Sequence, residues 1–209
     1  MAQGVGAGQV PGAVVSLAAL LLQQKTVHTA AHQIAMQLWW FLSYFSSPLA
    51  LAAQAILPKD LTQGNYARVD RGVKRILQMG LAQALASTVL VLVCLRVPGL
   101  FTQDLAVQAA VQSVLPQVVC SQLLICLTTI LDGVFIGTNR TAAYVCLSLA
   151  STSLAWLYFT QAMRRGLGVV GTWNGMLLFC LARAAYYAWE VARGGLFAYH
   201  RNEIVGVGG

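Results

Sequence analysis

The chain has 209 residues, of which 58% are hydrophobic and only 9% charged, with a mean hydropathy of +0.68. A soluble domain carries about 25% charged residues, so this composition excludes an ordinary soluble fold and points to a polytopic membrane protein. Thirteen Lys and Arg against six Asp and Glu give a net charge of +7, yet the basic residues fall between apolar runs, which assigns them to topology and anionic headgroups and not to nucleic acid.

A helix crossing the hydrocarbon core needs about 20 apolar residues. Inside that core every backbone N–H must be bonded within its own segment, so long apolar runs become helices. Breaks at charged, Gly and Pro residues divide the chain into candidates at Val10–Gln24, Thr29–Leu57, Ile76–Leu95, Ala106–Gly137, Thr141–Met163 and Val169–Val191. The expected fold is therefore all-α, a membrane bundle of about six transmembrane helices.

The opening MAQGVGAGQVPG has no positive n-region of a signal peptide. Pro11-Gly12 breaks the first candidate early, so residues 1–25 read as a partial helix whose beginning is missing. The second candidate, in HQIAMQLWWFLSYFSSPLALAAQAILP, has no charged residue but places Gln33, Gln37, Tyr44 and Ser47 on one side, with Pro48 positioned to kink it. Trp39, Trp40, Phe41 and Phe45 supply bulky surface for lipid, for neighbouring helices or for an aromatic substrate. The third candidate follows the polar stretch PKDLTQGNYARVDRGVKR, where Arg68, Arg71 and Arg75 recur at helical spacing. That basic face reads first as a solvated loop and second as an anionic lipid contact.

The fourth candidate carries an ionisable residue, Asp132, in line with Gln117, Ser121 and Thr128 on one narrow stripe. Pro116, Gly133 and Gly137 mark places where this helix can bend or unwind. The sixth candidate carries Arg183 at comparable depth and Glu190 near its interfacial end. An intramembrane charge is expensive and faces a bundle interior or a water-filled cavity. Arg183 either pairs with Asp132 and holds it ionised, or snorkels alone and leaves an acid able to carry a proton. Two aligned polar stripes with an acid predict a shared aqueous cavity; the alternative is hydrogen-bonding glue between helices.

With six spans both termini share a side with Lys59, Arg68, Arg71, Lys74, Arg75, Arg140, Arg193 and Arg201, which marks that side as cytoplasmic. The sequon Asn139-Arg140-Thr141 then stays unglycosylated. Residues 194–209 read as a cytoplasmic tail. The five cysteines lie inside apolar runs without CxxC spacing and read as small hydrophobes. His28 and His32 are four apart, but no third ligand and no HExxH follow, so no metal site is expected. Walker A, GxGxxG and GxSxG sequences do not occur, and the chain is not expected to be an enzyme.

The segments AAHQIAMQLWWFLSYFSSPLALAAQAIL, GNYARVDRGVKRILQMG, LDGVFIGTNRTAAYV and GVVGTWNGMLLFCLAR together resemble the multidrug and toxic compound extrusion (MATE) family, with its DinF-like branch nearest. The resemblance runs from about Thr26 to about Arg193. It implies that residues 26–193 form the C-terminal six-helix lobe of a twelve-helix carrier, with residues 1–25 as a clipped helix seven. It also implies a cation-coupled antiporter that exports organic or xenobiotic solutes, with H⁺ or Na⁺ as coupling ion and no other cofactor. On that reading Asp132 is the cation-coupling candidate, Arg183 its charge partner, and Gln33, Gln37, Tyr44, Gln117, Ser121 and Thr128 line the path. Partners implied are the lipid bilayer, a small organic solute and a second lobe or subunit, with no nucleic acid. The membrane would be cell-surface or plastid, the termini then cytoplasmic or stromal. The amino-terminal lobe of the family is absent from this sequence, so a fragment or half-size carrier is expected; the alternative is a non-transporting half that assembles with or regulates a full-length relative.

Overall fold

The computed structural model describes residues 26–193. The expected first helix and the tail lie outside them. Helix α1 (Thr26–Ser43) runs into one tight 3₁₀ turn (Tyr44–Ser46) and continues as α2 (Ser47–Thr62). Then follow α3 (Tyr66–Arg96), a 3₁₀ turn at Pro98–Leu100, α4 (Leu105–Gly137), α5 (Thr141–Arg165) and α6 (Gly168–Ala192). Counting α1 and α2 as one crossing, five segments among the described residues are long and apolar enough to span a membrane, and the molecule is a polytopic helical bundle.

Local chemistry sets the boundaries. Pro48 has no N–H to offer the Tyr44 carbonyl, so the Ser47 N–H takes that carbonyl in a shorter 3₁₀ bond and the span breaks there. Helix α3 starts well before the apolar run expected for it. Asn65 caps it, its side-chain oxygen accepting from the Arg68 N–H at 3.3 Å, and Arg and Lys are good helix formers. Asp104 caps α4 through the N–H groups of Ala106 and Val107. Gly166, at φ +64°, ends α5 in the left-handed conformation that glycine takes without penalty.

Helix α4 is the hub, touching every other described helix. Its Gly133 and Gly137, expected as flexible points, lie inside a continuous helix and serve a different purpose. A Cβ at Gly133 would sit 2.5 Å from the Ala50 backbone, and one at Gly137 would sit 2.6 Å from the Ala53 carbonyl oxygen. The two glycines let α2 and α4 meet backbone to backbone, the small-residue packing that membrane helices use. Two apolar clusters result, one around Trp39, Phe159 and Trp173, the other around Leu57, Val73 and Phe135. Along α6, Arg183 falls between Cys180 of the first and Tyr187 of the second.

Candidate functional site

The break between α1 and α2 is held from behind by a polar network. Ser46 Oγ donates to Gln83 Oε1 at 2.7 Å, Gln83 Nε2 donates to Ser87 Oγ at 2.7 Å, and Ser87 Oγ donates to the Leu42 carbonyl at 3.4 Å. From α4, Gln122 Nε2 donates to Ser43 Oγ at 3.4 Å. Non-helical backbone at membrane depth is tolerated where protein surrounds it, and these side chains surround this turn.

In front of the break lies a cavity of about 130 Å³. Trp39, Trp40, Ser43 and Tyr44 of the first segment border it, with Ser47, Ala50 and Gln54 of α2. Helix α4 contributes Ile125, Thr129, Asp132 and Ile136; α5 contributes Tyr144; α6 contributes Met176, Phe179 and Arg183. The lining is largely apolar and aromatic with a few convergent polar groups, the usual make-up of a small-molecule site.

Asp132 is the charged centre of that wall. Its Oδ1 accepts from Arg183 Nη2 at 2.5 Å and from the Tyr187 hydroxyl. The Arg183 side chain is 2% exposed and that of Asp132 14% exposed, so the pair is largely withdrawn from solvent. The guanidinium carbon lies 5.4 Å from the Phe179 ring centroid and 5.8 Å from that of Tyr144. Arg183 Nη1 is buried without a hydrogen-bond partner among the described residues. Of the two alternatives open in the sequence, pairing is therefore the one observed. Chemically the arrangement offers a carboxylate with one oxygen engaged twice, an arginine with one nitrogen unused, and flanking π faces.

The expected lining residues do not all meet there. Tyr44 borders the cavity, whereas Gln33 and Gln37 are exposed on the outside of α1. Ser121 and Thr128 are buried and donate to their own helix, to the carbonyls of Val118 and Ile125. Thr128 borders a separate apolar crevice between α4 and α6, and Gln117 is half-buried away from both. At about 100° per residue, the line Ile125, Thr129, Asp132, Ile136 lies about 70° around α4 from the line Gln117, Ser121, Thr128. Asp132 stands on the edge the two share.

Ser43, Thr129, Tyr144 and Tyr187 also belong to the site, although the sequence patterns do not single them out. Tyr187 had a usable signal, since it lies four residues after Arg183 and so on the same helical face. Glu190, expected at the interface, is 8% exposed. It pairs with Arg140 at 2.8 Å and accepts from the Tyr186 hydroxyl at 3.2 Å, tying the α4–α5 turn to the end of α6.

A family model described as MatE matches residues 6–159, a range that includes Asp132 and ends before Arg183. The chain is similar to Protein DETOXIFICATION 44, chloroplastic, of Arabidopsis thaliana, at 28% identity over 173 residues, 82% of this chain and 33% of that protein. It is similar to Protein DETOXIFICATION 42 of the same plant at 28% over 180 residues, 85% of this chain and 34% of that protein. With Protein DETOXIFICATION 43, also from Arabidopsis thaliana, it shares 31% over 170 residues, 80% of this chain and 32% of that protein. The chain thus spans about a third of the length of the curated relatives it matches.

Proposed function

The chain belongs to the MatE family, and on that premise we propose that it is the C-terminal six-helix lobe of a cation-coupled efflux carrier for organic solutes, of the DinF-like branch. The observation that carries this reading is Asp132, an acid inside a span, on the wall of a cavity and bound to Arg183 and Tyr187. Intramembrane acids of this kind mark ion and solute pathways. The names of the relatives, which speak of detoxification, support export of foreign compounds.

The geometry supports the following coupling step. The bonds from Arg183 and Tyr187 both end on Oδ1 of Asp132, so Oδ2 is the atom offered to an incoming proton or Na⁺. A cation bound there competes with Arg183 for the carboxylate's negative charge. An arginine left unpaired in a poorly hydrated site is strongly destabilised, so Arg183 must re-pair or move. Because Arg183 also lines the cavity, that movement changes the surface a solute touches. Trp39, Trp40 and Tyr44 offer aromatic faces to a flat or cationic solute, and Gln54 and Thr129 offer polar contacts. One lobe supplies one wall; alternating access needs a second lobe rocking against it, as in other repeat-built carriers. Both termini of the lobe are proposed to be cytoplasmic, or stromal in a plastid.

Vesicles containing the chain together with its second lobe test this reading. Flux of a fluorescent organic solute driven by an H⁺ or Na⁺ gradient is expected to disappear in Asp132→Asn. Undiminished flux in that variant removes Asp132 from the coupling step. A second reading rests on the chain spanning about a third of its relatives: a non-transporting half that assembles with a full-length carrier. Co-purification with such a carrier, with no solute flux attributable to the chain itself, is its signature.

A further inference from the structure

Helix α3 has 31 residues, more than a bilayer core requires, and its own charges set how it sits. Between Arg75 and Arg96 every residue is uncharged. At 1.5 Å per residue that interval is about 30 Å, the thickness of the hydrocarbon core. The two arginines therefore fall at its two boundaries. The preceding turns, Arg68 to Arg75, rise through about the next 10 Å, at the level of the headgroups.

The exposed side of the helix is continuous across that boundary. Val69, Val73, Ile76, Gly80, Ala84, Ser87, Val91 and Leu95 form the buried stripe. Opposite them, Met79, Leu85, Val89 and Val93 are each half exposed or more, as lipid-facing residues are. Arg68, Arg71, Lys74 and Arg75 are exposed at the charged end of that same outward side. They are not turned toward the bundle or its cavity.

Among the described residues, one ion pair reaches this group. Arg68 contacts Asp60 at 3.6 Å while 59% of its side chain remains exposed, and Arg71 Nε donates to the Ala67 carbonyl at 3.2 Å. Lys74 and Arg75 have no carboxylate at ion-pair distance among the described residues. The acids of this region are Asp60, which is buried, and Asp70, which is half-buried; the exposed Lys59 adds a further cation at the end of α2. A solvated loop would place its charges at no particular height or azimuth. Here they are placed on a lipid-facing side at headgroup depth.

We propose that Arg68, Arg71, Lys74 and Arg75 form a docking surface for anionic phospholipid headgroups, which fixes the depth and tilt of α3 in the bilayer. The chemistry fits: guanidinium groups fork onto phosphate oxygens, while the acyl chains lie along Met79, Leu85 and Val89. The proposal is independent of Asp132 and of transport.

The test uses the full chain in nanodiscs of phosphatidylglycerol and phosphatidylcholine, with the lipid retained on gentle detergent extraction measured by mass spectrometry. Wild type is expected to retain phosphatidylglycerol in excess of the bulk ratio, less so in salt of about 1 M, where the Debye length falls to about 3 Å. Each charge removed is expected to weaken the preference up to about fivefold, so Arg68→Gln/Arg71→Gln/Lys74→Gln/Arg75→Gln abolishes it. Arg68→Lys/Arg71→Lys/Arg75→Lys keeps the charge and is expected to keep the preference, which separates lipid binding from misfolding. Wild type without a preference, or the glutamine variant with an undiminished one, overturns the proposal.

Discussion

The Asp132–Arg183 pair makes a quantitative prediction through a double-mutant cycle of Asp132→Asn, Arg183→Gln and the two combined. Opposite charges about 4 Å apart attract by about 4 kcal/mol at an effective dielectric of 20, and desolvating the two ions costs several kcal/mol, so the pair is close to neutral for stability. Removing one partner is another matter. Asp132→Asn leaves a guanidinium that is 2% exposed without a counter-charge, and Arg183→Gln leaves a carboxylate with only the Tyr187 hydroxyl. Each single variant is expected to lose about 3–5 kcal/mol, and the double variant far less than their sum. Unfolding of the purified chain in mild detergent, followed by circular dichroism against increasing denaturing detergent, measures all four proteins. A coupling energy of at least about 1.5 kcal/mol is expected. Additive losses within about 0.5 kcal/mol would refute the reasoning, because the two charges would then be solvated separately.

Tyr187→Phe removes one donor to the same carboxylate, and a hydrogen bond to a charged group is worth about 1.5–3 kcal/mol, so the same unfolding assay is expected to show a loss of that size. No loss would mean that the phenol is dispensable to the pair. Gly133→Val inserts a side chain where a Cβ alone would lie 2.5 Å from the Ala50 backbone, which cannot yield as a side-chain tip does. The α2–α4 contact is expected to open at a cost of about 1–3 kcal/mol, whereas Gly99→Ala, whose nearest neighbour is 3.8 Å away, is expected to be nearly neutral. Equal melting temperatures for these two variants would contradict the close helix approach.

Amino-acid order alone determined most of the spans, since an unbroken apolar run about 20 residues long has one economical structure in a bilayer, and any side of it satisfies that requirement. Of the candidates within the described residues, the later ones match their helices to within a residue or two, as with Ala106–Gly137 against Leu105–Gly137. Helix α3 departs because its start is set by the Asn65 cap and by charged helix formers, which an apolar count does not register. Pro48 marked the break in the second span because a missing N–H acts locally. Asp132 and Arg183 stood out for the same kind of reason: a charge in a span announces itself without reference to neighbours.

Which residues share the cavity with them was settled only by packing. In runs that are apolar all round, periodicity does not say which face looks inward, so a polar stripe about 70° from the cavity looks much like one that borders it. Ser121 and Thr128 satisfy their hydroxyls on the preceding turn of their own helix and need no cavity at all. Thr129 and Phe179 reach it because Gly133 and Gly137 draw α2 against α4 and because α6 crosses the same hub helix, and Tyr144 reaches it because α5 packs on α6. Composition and charge decided that these helices enter a membrane; the depth to which their backbones approach one another decided which side chains face the same space.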